Sequence, residues 1–229
     1  MLYDTTAVKA NIRNRNGKRV FFLGSKDTIT PSARDWLRSQ RIEILPASQA
    51  KITEYEILGS GTTKEKEENM THLRGHVLVP KSHPIIAFRG AMDTLQAEIL
   101  LAQLQVAPTI QRKLEEILTL ARNIIRWEVM EESASVDELC GLTLQQQRIH
   151  SHHPQQYYHQ PHFMPSYTDG AGLLQINRAR CAARSAELAA IHAFCSETGT
   201  CSRADIIQLL NRMSSMLYLL MIQMKADGT

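Results

Sequence analysis

From Pro84 onward the chain repeats apolar residues at α-helical spacing, and no other feature limits its fold as strongly. Leu95, Ile99, Leu100 and Leu104 form one stripe, Pro108 interrupts it, and Leu114, Ile117, Leu118, Ala121 and Ile125 form the next. The pattern Ser135-Val136-Asp137-Glu138 reads as a capping box and predicts a third helix ending near His150. Asp169-Gly170 predicts the start of a long fourth helix reaching about Phe194. Ser202-Arg203-Ala204-Asp205 reads as the cap of a fifth, which carries Ile206, Leu210, Met213, Leu217, Leu220 and Met224. Mostly short connections then predict a mainly α fold, a five-helix antiparallel bundle. Aromatics at 6% of the chain argue in the same direction, away from a β-sandwich.

The residues ahead of the bundle read differently. Arg19–Gly24 predicts a strand, Thr30-Pro31-Ser32 an N-capped helix with proline at its first position, and Ile42–Leu45 a second strand. This is a small N-terminal β-α-β appendage. Residues 1–45 carry nine Lys/Arg against four Asp/Glu, so the excess positive charge of the whole chain belongs to it. Gly59-Ser60-Gly61-Thr62-Thr63, followed by the charged run Lys64–Glu68, reads as a flexible linker. The expected organisation is therefore 1–48 as a basic appendage, 49–75 as a linker and nucleotide-side segment, and 76–229 as the helical domain.

Composition excludes several function classes. No apolar run is long enough to span a bilayer and the N-terminus has no signal-peptide core, so a soluble, cytoplasmic protein with no membrane partner is expected. The N-terminal positives are spread singly without interleaved aromatics, which argues against a nucleic-acid partner. Cys140, Cys181, Cys195 and Cys201 lack C-x-x-C spacing and read as free thiols.

Residues able to do chemistry are few. Arg180, Arg184 and Glu187 stand at i, i+4 and i+7 on one helix face. Two stacked guanidiniums repel unless an anion lies over them, and their planar donor forks suit phosphate; a solvated face with Glu187 paired to Arg184 is the plainer reading. Asn211-Arg212 interrupts the apolar stripe of the last helix, which fits a satisfied core amide or a ligand contact. His150, His152, His153, His159 and His162 fall within 13 residues, but without cysteine or carboxylate at fixed spacing they assign no metal site.

Taken together these pieces resemble a known family. Val79-Pro80-Lys81, Pro84, Gly90, Asp93-Thr94-Leu95 and Ala97 resemble a V-P-K…P…G-x-x-D-x-L-x-A segment of ATP:corrinoid adenosyltransferases of the propanediol-utilisation type. Arg180-x-x-x-Arg184-x-x-Glu187 and Leu210-Asn211-Arg212-Met213-Ser214 resemble that family's R-x-x-x-R-x-x-E and L-N-R-L-S segments. The ethanolamine-utilisation branch is more similar still, through Thr30–Arg34, Thr71-His72-Leu73, Ala87-Phe88-Arg89, Asp93, the His162 loop and Leu210–Ser215.

The resemblance implies transfer of the 5′-deoxyadenosyl group of ATP to the cobalt of cob(I)alamin, with Mg²⁺ screening the phosphates, for ethanolamine ammonia-lyase. It places Arg180 and Arg184 at the triphosphate and Asn211 and Glu187 at the nucleotide. Asp93 would pair with Arg180 across a subunit interface, in a homo-oligomer for which a trimer is favoured and a dimer left open. Thr71, His72 and Lys81 fall in the nucleotide segment, and His162 with Phe163 or Phe88 at the corrin, where an apolar wedge removes the lower axial ligand. A bacterial microcompartment, its shell included, is the implied setting. Three departures matter, one being that the propanediol type's C-R-R-A-E-R becomes Ala183-Arg184-Ser185-Ala186-Glu187-Leu188 and loses two positives. The aligned phosphate-loop stretch is Lys64-Glu65-Lys66-Glu67-Glu68-Asn69-Met70, whose acids repel triphosphate, and no cysteine precedes Cys140, so the branch's H-x11-C-C-x-x-C metal site is absent. A non-catalytic helical corrinoid carrier or microcompartment cargo adaptor is the alternative that those departures keep open.

Overall fold

The structure, a computed structural model, describes residues 1–15, 18–49 and 54–228. It divides into two units, Met1–His83 and Pro84–Thr229. The described residues are mainly helical with some strands.

In the first unit the elements are β1 (Leu2–Tyr3), α1 (Thr5–Ala10), β2 (Ile12–Arg15), β3 (Lys18–Leu23), β4 (Thr28–Ile29), α2 (Pro31–Ser39) and β5 (Glu43–Pro46), then β6 (Tyr55–Ile57), β7 (Gly61–Thr63), β8 (Met70–Arg74) and β9 (Val77–Pro80). Thr30 caps α2 by accepting the Ala33 N–H, and Pro31 opens it without wasting a donor. β3 pairs parallel with β5 and antiparallel with β2, while β1 pairs with β4. Val8, Phe21, Ile29, Ala33, Leu37 and Ile42 close a small core, with Tyr3 packed edge-on to Phe21 at 5.2 Å. The stretch expected as a flexible linker contributes three of the strands, β6, β7 and β8. Gly59 and Gly61, both at positive φ, turn β6 into β7, and the strands order as β7-β6-β9-β8. Residues 50–53 of that stretch lie outside the described residues.

The second unit comprises α3 (Pro84–Gln103), α4 (Pro108–Met130), β10 (Glu138–Leu139), β11 (Leu142–Thr143), α5 (Leu144–His152), α6 (Pro154–Tyr158), α7 (Gly170–Phe194) and α8 (Ala204–Asp227). Its core is drawn from α3, α4, α7 and α8. The buried face of α3 is Phe88, Met92, Leu95, Ile99 and Ala102, whereas Leu100 and Leu104, expected on that stripe, are exposed at 46% and 74%. Arg89 and Glu128 tie α3 to α4 through a two-pronged ion pair of 2.7 and 3.1 Å. Gly172 is required near the start of α7, because a Cβ there would lie 2.4 Å from the Gln105 carbonyl oxygen.

Three sequence expectations are corrected. Ser135–Glu138 does not cap a helix: Cys140 and Gly141, both at positive φ, make the tight turn of a β10–β11 hairpin, and the capping box is Thr143 with Gln146. At the start of α8 the N-cap is Arg203 with no side-chain cap bond; Asp205 reaches back to the Ala134 N–H at 2.8 Å instead. Cys195 and Cys201 are not free thiols but a disulfide, brought together by the turn that links α7 to α8. Among the described residues no helix is long and apolar enough to cross a membrane.

Candidate functional site

The site is built on two facing helices. α7 packs directly on α8, and each carries a polar row across an otherwise apolar contact. On α7 the row is Arg180, Arg184 and Glu187; on α8 it is Asn211, Ser214, Ser215 and Tyr218, again at i, i+3, i+4 and i+7.

Glu187 does not pair with Arg184. Its Oε1 accepts the Asn211 amide at 2.9 Å, and the Asn211 Oδ1 accepts a guanidinium N–H of Arg212 at 2.5 Å. Both ends of the Asn211 carboxamide are therefore committed, which fixes its orientation and leaves one N–H free. Arg180 is held on its own helix, its Nε and Nη2 both donating to Asn177 Oδ1 at 3.0 and 2.9 Å. Among the described residues neither Arg180 nor Arg184 is ion-paired, so the cationic row stands uncancelled. Burial and the nearby Arg148 charge push Arg212 below its ordinary basicity, while Glu187 opposes them, and its Nη1 is buried without a partner.

Beside this row lies an open cleft of 270 Å³ lined by Ser151, His152, His162, Arg180, Ser214, Ser215 and Tyr218. His162 stacks on Tyr218, and Phe163 lies against the same ring with centroids 6.4 Å apart. Burial raises the Tyr218 hydroxyl pKa against the opposing effects of the Phe163 N–H and the Arg180 charge.

Other predicted residues lie elsewhere. Phe88 is fully buried and packs edge-on to Phe194 at 5.2 Å, so it is a core residue and not a ring offered to a ligand. Its neighbour Arg89 likewise serves the core, through Glu128. Asp93 is exposed on α3 and makes no bond to Arg180, whose acceptor is Asn177. Thr71 and His72 belong to β8 of the first unit, with His72 edge-on to Tyr55. Lys81 follows β9 and pairs with Glu68 at 3.3 Å, which offsets one acid of the Lys64–Glu68 run. Among the described residues no three of His, Cys, Asp or Glu converge on a metal position, the histidine-rich stretch included.

Sequence reasoning missed Tyr218, Ser151 and the β-sheet around Thr71. The signal for Tyr218 was available: it lies seven residues beyond Asn211, on the same helical face. Nothing comparable marks Ser151, which reaches the cleft only because α5 folds back over α8.

A helical unit with an arginine row beside an open cleft has donor forks of a kind that suit anions, and the families that share this sequence narrow the class. The sequence profile of the cobalamin adenosyltransferase family matches residues 61–224, and the chain belongs to that family. It is similar to the corrinoid adenosyltransferase EutT of Salmonella typhimurium LT2, being 28% identical across 95% of this chain and 90% of that protein. It is also similar to the corrinoid adenosyltransferase EutT of Escherichia coli K12, at 30% identity across 69% of this chain and 59% of that protein.

Proposed function

We propose that this protein transfers the 5′-deoxyadenosyl group of ATP to the cobalt of cob(I)alamin, yielding adenosylcobalamin for ethanolamine ammonia-lyase. Besides family membership, one observation carries the reading: the Arg180–Arg184 row is left without a carboxylate partner because Glu187 is engaged by Asn211. Such a row costs repulsion unless an anion occupies it.

The chemistry asked of the chain is modest. Co(I) supplies the electron pair, the Co–C5′ bond forms, and the C5′–O bond breaks with its electrons leaving on triphosphate. The protein must align the two substrates and stabilise the departing charge. Arg180 and Arg184 take the phosphate oxygens, Asn211 orients the nucleotide from a carboxamide fixed by Glu187 and Arg212, and Thr71, His72 and Lys81 belong to the nucleotide-side segment. Mg²⁺ is carried by the phosphate oxygens, since the described residues gather no carboxylate cluster for it. Phe163, with His162 beside it, lies beneath the corrin and displaces the lower axial ligand, which eases reduction to Co(I).

In this reading α3, α4, α5, α7 and α8 form an antiparallel five-helix bundle over 76–229, preceded by a 1–48 β-α-β appendage and the 49–75 nucleotide-side segment. Asp93, exposed and unbonded in the single chain, meets Arg180 of a second subunit. Exposed Leu101 on α3, Leu104 just beyond it and Leu188 on α7 support such a homo-oligomer, a trimer with a microcompartment as its setting.

The test is to incubate the protein with reduced cobalamin and MgATP. A light-sensitive Co–C product is expected, and corrin binding without that product would identify a carrier instead. Arg184→Ala is expected to weaken ATP binding by about 1.5–3 kcal/mol, the worth of a hydrogen bond to a charged group; unchanged affinity in a titration would remove Arg184 from the site.

A further inference from the structure

Tyr218 has no role in the reading above, yet it is the most connected side chain of the cleft. His162 bonds on both ring nitrogens: Nε2 lies 3.3 Å from the His152 carbonyl oxygen and Nδ1 lies 2.9 Å from the Tyr218 hydroxyl. A carbonyl oxygen can only accept, so Nε2 carries a proton, and in the neutral ring Nδ1 is then the acceptor. Tyr218 donates its O–H to that neutral ring.

Its ring does a second job. The Phe163 ring stacks on it at 6.4 Å and 23°, and His162 stacks at 5.8 Å and 13°. Two helical turns further along α8, Lys225 lies over the Phe163 ring at 5.5 Å and is ion-paired to Asp169. Asp169 in turn accepts the Ser166 N–H at 2.7 Å. The segment from His162 to Asp169 has no helix or strand of its own before Tyr167, so these contacts with α8 decide where Phe163 sits.

We infer that Tyr218 is a positioning residue for corrinoid binding, its hydroxyl and ring latching the His162–Phe163 segment onto α8 so that the Phe163 ring is presented at a fixed place. This rests on the reading that Phe163 lies under the corrin.

Tyr218→Phe removes the hydroxyl and keeps the ring. In the full-length protein it is expected to raise the KM for corrinoid about five- to tenfold, the loss of one hydrogen bond, with the KM for ATP unchanged. The absorption or EPR spectrum of bound Co(II) corrinoid should shift toward that of the free, base-on form. Phe163→Ala should do the same more strongly, and the double variant should be no worse than Phe163→Ala alone, because the latch acts through that ring. His162→Gln, which restores an acceptor for Tyr218, should fall between the native protein and His162→Ala. Additive losses in the double variant, or equal losses in both KM values, would overturn the inference while leaving Phe163 in place. No change in the Co(II) spectrum of Phe163→Ala would instead remove the reading beneath it.

Discussion

The two cysteines outside the disulfide have opposite environments. Cys140 sits in the β10–β11 turn with its Sγ–H directed at the Lys113 carbonyl oxygen at 3.4 Å. Burial, reinforced by Glu116, pushes this thiol up to about 12, against the opposing charge of Lys113. Cys181 is exposed on α7. Alkylation of the native protein at pH 8 should therefore label Cys181 and spare Cys140, as peptide mass mapping would report. The same shift has a thermodynamic sign. An unfolded thiol ionises near about 8.5, so at higher pH the unfolded chain releases a proton the folded one keeps, and Cys140 makes stability fall as pH rises through that range. A Cys140→Ala protein should lose this alkaline decline in melting temperature. At this scale the sequence was informative where roles follow from spacing. Arg180, Arg184 and Glu187 share a face as their numbering requires, but the partner of Glu187 is Asn211, 24 residues away, and no local rule selects it.

Helices with uninterrupted apolar periodicity could be read directly from the residues. Thr30-Pro31 fixed the start of α2, because a cap and a φ-restricted residue act locally, and α7 starts at Gly170 as read although Asp169 gives it no side-chain cap. The elements that were misread depend on backbone conformations the side chains do not advertise. Two consecutive left-handed residues at Cys140-Gly141 make a hairpin out of an apparent helix start, and glycines read as flexibility make the β6–β7 turn. The union of α3 and α4 supplies a prediction. Glu128 is only 2% exposed and bonds a largely buried Arg89, so Glu128→Ala strands a cation in the interior and should cost about 3–5 kcal/mol in a denaturant melt. Replacing both residues with apolar ones should cost much less.

As a whole the molecule carries two separate apolar cores, one within residues 1–83 and one within 84–229. Leu37, fully buried in the smaller core, offers a way to separate them. Leu37→Ala should destabilise the N-terminal unit by about 2–5 kcal/mol and split calorimetric unfolding into two steps, leaving the helical step where it was. The Cys195–Cys201 bond adds a mechanical consequence. It clamps α7 and α8 at one end, while Arg180 and Tyr218 lie about 20 Å along their rods from that clamp. At that distance the covalent bond does not set the spacing of the cleft's walls, which falls instead to the shared core and to the Glu187–Asn211 bond between clamp and cleft.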